Sequence, residues 1–162
     1  MEQRRFALMG QNLFIILAKF IRNQNLCKLL YYTDKNPLSS DKADIDGSIL
    51  IHKNLLVVPK IPDDIKTKEN FVVVTFKNFH LNPSNKEFKV GRIQVAVVCP
   101  FEEWILETNS LRPYLLMQEI DKELNEQKIN GIGTLNFINA QQLTLSPQLG
   151  GFSMEYQNNE FN

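Results

Sequence analysis

The chain has 162 residues, 43% of them hydrophobic and 10% aromatic, which suits a folded domain and excludes a largely disordered chain. Lys plus Arg and Asp plus Glu total 18 each, so the formal net charge is zero, and no basic run exceeds Arg4-Arg5. A protein whose principal ligand is nucleic acid needs a cationic face, so that class is disfavoured, and two cysteines do not make a secreted disulfide framework.

Residues 2–22 read as an amphipathic helix, with Phe6, Met9, Leu13, Ile16, Leu17 and Phe20 recurring at three- and four-residue spacing. Leu13-Phe14-Ile15-Ile16-Leu17 resembles a signal-peptide core, but the run breaks at Lys19 and no small-residue cleavage site follows. It is also too short to span a bilayer, so a cytoplasmic protein that opens with a helix is expected. Asn23-Gln24-Asn25 interrupts the pattern, and residues 26–32 read as a further helical turn around Cys27, which packs there as a small hydrophobe. Residues 33–47 turn polar, with Asp34, Asp41 and Asp44, and predict a long loop of the kind that often carries function.

Three strands are expected next. Residues 48–58 form the first, broken near His52-Lys53-Asn54 and stopped by Pro59; residues 71–79 and 88–99 are β-branched and aromatic or alternating. The last two are joined by a hairpin loop at 80–87 that contains His80 and Asn82-Pro83. A second main helix starts near Ser110 with Pro113 in its first turn, where a missing N–H is harmless, and ends at Asn130-Gly131. Tyr114, Met117, Ile120 and Leu124 make its expected buried stripe, with Glu119, Glu123 and Glu126 outside. Short strands at 134–138, 142–145 and 152–156 follow, then a polar tail at 157–162. The expected fold is α+β, a mostly antiparallel β-sheet flanked by two main helices in the order α-β-β-β-α-β-β, forming a single domain over residues 1–162.

Catalytic patterns are sparse. His52 and His80 have no second histidine or cysteine at ligand spacing, so no zinc site is expected. No Gly-x-Ser-x-Gly elbow is present, and Gly131-Ile132-Gly133 leaves a helix for a strand, the reverse of a phosphate cradle. Pro62-Asp63 with Glu87-Phe88-Lys89 resembles the PD-(D/E)xK motif of metal-dependent nucleases, with Asp63 and Glu87 on Mg2+ and Lys89 beside the attacking water. The missing basic surface and the distance of Asp63 from the nearest strand weigh against it. The expectation is a protein that acts by binding, without catalysis, cofactor or metal. Trp104, between the third strand and the second helix, reads as a core plug or an interface anchor.

Three stretches carry a family resemblance. They are Asn25-Leu26-Cys27-Lys28-Leu29-Leu30-Tyr31-Tyr32 running into Asn36-Pro37-Leu38; Leu111-Arg112-Pro113-Tyr114-Leu115-Leu116 through Leu124-Asn125; and Ile132-Gly133-Thr134-Leu135-Asn136-Phe137 with Leu149-Gly150-Gly151-Phe152. Together with the element order they resemble the neck proteins of tailed bacteriophages, tail terminators above all. The resemblance implies a structural virion protein that forms a homo-oligomeric ring, commonly a hexamer. Such a ring sits between the head-side connector and the tail tube, and DNA passes through it without specific recognition. It implies assembly in the host cytoplasm and no membrane. The candidate interface residues are Asp34, Asp41, Asp44, His80, Asn82, Trp104, Glu119 and Glu123. A head-completion or tail-tube-like protein is the nearest alternative within the same resemblance.

Overall fold

The computed structural model describes residues 5–59, 69–81 and 89–158. The chain opens with helix α1 (Arg5–Phe20), which buries Leu13, Ile16, Leu17 and Phe20. Helix α2 (Gln24–Tyr31) follows at once because the Asn23 side chain accepts from the Leu26 N–H at 3.0 Å, satisfying a donor that the first turn leaves open. Strands β1 (Leu55–Leu56), β2 (Phe71–Leu81) and β3 (Lys89–Pro100) come next. Helix α3 (Arg112–Leu124) precedes β4 (Lys128–Ile129), β5 (Gly133–Thr144) and β6 (Leu149–Asn158).

The six strands form one sheet in the order β1-β2-β3-β6-β5-β4. Only the β1–β2 pair is parallel; β2–β3, β3–β6, β5–β6 and β4–β5 are antiparallel. The α+β class and the mostly antiparallel sheet therefore hold. Register follows the period-2 pattern of the strands. Ile93, Val95 and Val97 pair with Tyr156, Met154 and Phe152, while Val72, Val74, Leu135, Met154 and Tyr156 join residues of all three helices in the main core. The opposite face carries a smaller apolar cluster, Leu56, Phe71, Val73, Val98 and Leu149.

Several boundaries differ from expectation, each for a physical reason. Residues 48–58 do not form a long strand: Asp46 caps a 3-10 turn over Gly47–Leu50, and only Leu55–Leu56 pairs with the sheet. Gly47 is required there, since a Cβ would lie 2.3 Å from the Ile21 carbonyl oxygen. The two strands expected at 134–138 and 142–145 are one continuous β5 with a register shift between Phe137 and Asn139. Helix α3 stops at Leu124, because Glu126 takes a left-handed φ of 58° and the chain turns into β4. Gln157 and Asn158, expected in a polar tail, belong to β6.

The buried face of α3 also differs. Tyr114 is exposed, and the buried positions are Arg112, Pro113, Leu116, Glu119, Ile120 and Leu124. Tyr156, fully buried, donates its hydroxyl to Asp121 at 2.8 Å and so ties α3 to the sheet. Burial and the neighbouring carboxylate both push that phenol well above its ordinary range.

Candidate interaction surface

The long polar segment after α2 is held at many points. Asp34 accepts from Lys42 Nζ at 2.6 Å and from the Asn36 N–H at 2.8 Å, and the lysine contact keeps the Asp34 carboxyl below its usual range. Lys42 also lies 5.0 Å from the centroid of the Tyr32 ring, whose hydroxyl donates to the Ala43 carbonyl at 2.8 Å. Gln24 grips Ile45 in both directions, its Nε2 donating to the carbonyl at 2.7 Å and its Oε1 accepting from the N–H at 2.9 Å. Asp44 pairs with Lys28 at 3.1 Å, and Asn36 donates to Glu107 at 2.5 Å. Asp41 is exposed. Asp34, Asp41 and Asp44 thus share one ordered surface loop.

The main anchor of this loop is Arg112, whose side chain is fully buried. Its Nη1 donates to the carbonyls of Leu29 at 2.5 Å and Tyr32 at 2.8 Å, its Nη2 to Asp34 at 2.6 Å and its Nε to Glu103 at 3.2 Å. A guanidinium suits this task because its fork of five donors can satisfy several carbonyls at once. Burial lowers its pKa, partly countered by Cys99, Glu103 and Asp34.

Glu119 and Glu123, expected to face outward, instead serve the helix junction. Glu119 is only 7% exposed, and Asn23 Nδ2 donates to Glu119 at 3.0 Å and to Glu123 at 3.1 Å. Burial raises the Glu119 carboxyl, but the bonds from Asn23 and Lys122 outweigh it and hold the pKa below the usual value. His80 lies in β2 opposite Val90, and Asn82 falls outside the described residues. Asp63 and Glu87 of the nuclease-like pattern also fall outside them. Among the described residues no group of three His, Cys, Asp or Glu side chains is placed to hold a metal ion.

Trp104 is part of a larger feature. Its ring packs against the main core, with Nε1 donating to the Cys99 carbonyl at 3.2 Å. It also stands in an aromatic row: Phe101 lies 5.3 Å away and Phe152 6.2 Å away, and Tyr114 meets Phe152 at 5.0 Å. The row is possible because Gly150 leaves room for Phe101, whose ring would stand 2.7 Å from a Cβ at that glycine. Its outer edge is open to solvent, with Tyr114 51%, Phe101 36% and the adjoining Ile105 66% exposed.

A second apolar surface lies on α1. Leu8 and Ile15 are exposed on the side away from the buried residues, and the exposed Phe14, at the flank, packs edge-on to His52 at 6.2 Å. No acidic residue occurs from Phe6 through Arg22. Sequence periodicity finds the buried side of α1 but says nothing of its outer side. The signal that was available is composition, since apolar residues beyond the buried stripe ask for cover of their own.

Two further concavities are present. One, of about 410 Å3, lies between Tyr32 and Asp34 on one side and Lys53, Asn54, Glu69 and Asn70 on the other. The other, of about 200 Å3, is an apolar groove on the open sheet face lined by Phe71, Val73, Ala96, Val98, Leu143 and Leu145. Beside it Glu155 accepts from Lys77 at 2.7 Å and Arg92 at 3.1 Å. No helix among the described residues is long and apolar enough to cross a membrane.

Fold and surface together define an α+β protein with helices over one face of a mostly antiparallel sheet and two apolar patches left on its outside. The chain belongs to the YomW family, which is phage-associated and matches residues 23–158. The match begins at the residue that caps α2. No curated protein matches the chain.

Proposed function

We propose that this phage protein is a non-catalytic structural component of the virion, a tail-terminator-like neck ring that joins the tail to the head-side connector. The observation that carries the reading is α1, which leaves Leu8, Phe14 and Ile15 exposed outside its buried stripe. Exposed apolar faces of this kind mark protein contacts. Membership of a phage-associated family supports the viral setting, and the helix–strands–helix–strands order supports the neck role. In this reading copies of the chain surround a lumen, commonly as a hexamer, and the ring stacks on the tail tube. A chain with no net charge suits a lumen through which DNA must slide. Head completion is the neighbouring role in the same particle.

The test is electron microscopy of phage particles with an antibody to this chain, beside light scattering of the purified protein. Label at the junction of head and tail is the expected result. Label along the tail tube, or none on any particle, overturns it.

A further inference from the structure

We infer that copies of this chain join head to tail, the outer face of α1 on one copy seating against the aromatic row and Ile105 of the next. The inference rests on the ring reading and adds which surfaces meet. Two different apolar patches are exposed among the described residues, where Phe14 touches only the edge of His52 and the rest of each patch stays open to solvent. The first is Leu8, Phe14 and Ile15; the second is Phe101, Ile105 and Tyr114. Contact between unlike patches is heterologous, the kind that closes into a ring when the rotation permits. A two-fold contact would instead ask each patch to match itself.

Charge supports the unlike pairing. The α1 segment carries Lys19, which lies 3.9 Å from Glu123 of α3, and the exposed Arg22, and has no acidic residue of its own from Phe6 onward. Residues 101–107 carry Glu102, Glu103 and Glu107 and no basic residue. Paired with the other, each segment brings charge of the opposite sign to the rim, which helps set register. The second patch is also rigid. Phe101, Trp104, Phe152 and Tyr114 brace one another, so little side-chain freedom is lost when a partner helix settles on them. Aromatic anchors of this kind carry much of the energy of protein interfaces.

The experiment uses the full chain and two variants, one with Phe14→Asp and Ile15→Asp together, the other with Ile105→Asp. All three positions are exposed, and circular dichroism and a thermal melt matching the unchanged protein establish that each variant folds. Light scattering of each variant alone is expected to give the monomer mass where the unchanged chain assembles. Mixed in equal amounts, the two variants still own one intact pair of patches. They are expected to give dimers and nothing larger. If both variants assemble like the unchanged chain, these surfaces are wrong while the ring reading stands. One variant that still assembles alone while the other does not points to contact between like patches and overturns the inference, as does a mixture that stays monomeric. An unchanged chain that stays monomeric up to roughly millimolar protein, where even a weak contact half-forms, overturns it too, and particle labelling then decides the ring reading separately.

Discussion

Arg112 and Tyr32 stand 80 positions apart in the chain, yet Nη1 of one donates to the carbonyl of the other at 2.8 Å. The same guanidinium reaches Leu29, Asp34 and Glu103, so one side chain at the start of α3 sets where α2 ends and the loop begins. Polar backbone at a buried helix end needs such a partner, because an unmet carbonyl away from water is costly.

Arg112→Ala is therefore expected to lower stability by about 3 kcal/mol or more, since several carbonyls lose their donors together. Arg112→Lys keeps a charge but offers only three donors on a flexible stem and should lose about 1–3 kcal/mol. Urea titration measures both. Limited proteolysis should cut both variants faster within residues 33–46, and unchanged cleavage there would show that Arg112 does not anchor the loop.

Gly151 gives a second prediction. It pairs with Val98 in the centre of the sheet, and a Cβ there would lie 1.7 Å from the Val97 carbonyl oxygen. Backbone must move to admit even one methyl group, so Gly151→Ala is expected to cost about 3 kcal/mol or to prevent folding. Soluble yield and a thermal melt are the readouts, and a melt within a degree or two of the unchanged protein refutes the packing described.

Much of this architecture was legible in the sequence. Strands β2 and β3 were found because runs such as Val72-Val73-Val74 have the residue types that fit a pleated sheet. Apolar spacing found Leu13, Ile16, Leu17 and Phe20 of α1 and Ile120 and Leu124 of α3, while Phe6 and Tyr114 of the expected stripes are exposed. Arg112 was not, because its partners are backbone carbonyls, which every residue has and no sequence pattern marks. Glu119 was misplaced for a related reason: an outward-facing glutamate looks the same as one bonded to Asn23 from another helix. The unbroken β5 was missed because Asn139-Ala140-Gln141 reads as a gap between strands, while on the sheet Ala140 and Gln141 are exposed, where polarity costs nothing. Of the candidate positions, the acidic loop was legible as a unit, and Trp104, read as a core plug or an interface anchor, packs against the main core. The exposed side of α1 was hidden behind its buried stripe.

Acid sensitivity follows from Glu155. The hydrogen bond from Lys77, and next that from Arg92, hold its carboxyl below the usual carboxylate range. A carboxylate lowered on folding adds stability that is fully present above its unfolded pKa of roughly 4.3 and is lost as pH falls through the folded value. Lys77 and Arg92 are each more than a third exposed, so solvent screens the pair and the contribution is about 1 kcal/mol. Glu155→Gln should thus be less stable than the unchanged chain at pH 7, with the gap closing below roughly pH 4. Urea midpoints at several pH values check this, and a gap that persists or widens in acid refutes it.

The two thiols supply the last prediction. Cys27 is fully buried, and burial, with the Asp46 charge adding to it, pushes its pKa up to about 11. Cys99 is fully buried on β3, and burial raises it further although Arg112 pulls the other way. The thiolate is the reactive form, so at pH 8 a pKa of about 11 leaves about one part in a thousand able to attack a disulfide reagent. Steric cover slows attack further, and the native protein is expected to release almost no chromophore from a colorimetric disulfide reagent over minutes. In denaturant both cysteines should react at once. If the Arg112→Ala variant loosens the packing around α3 as argued, Cys99 should become reactive in it ahead of Cys27. Equal protection of Cys99 in that variant would mean that the strand holds its own without the guanidinium.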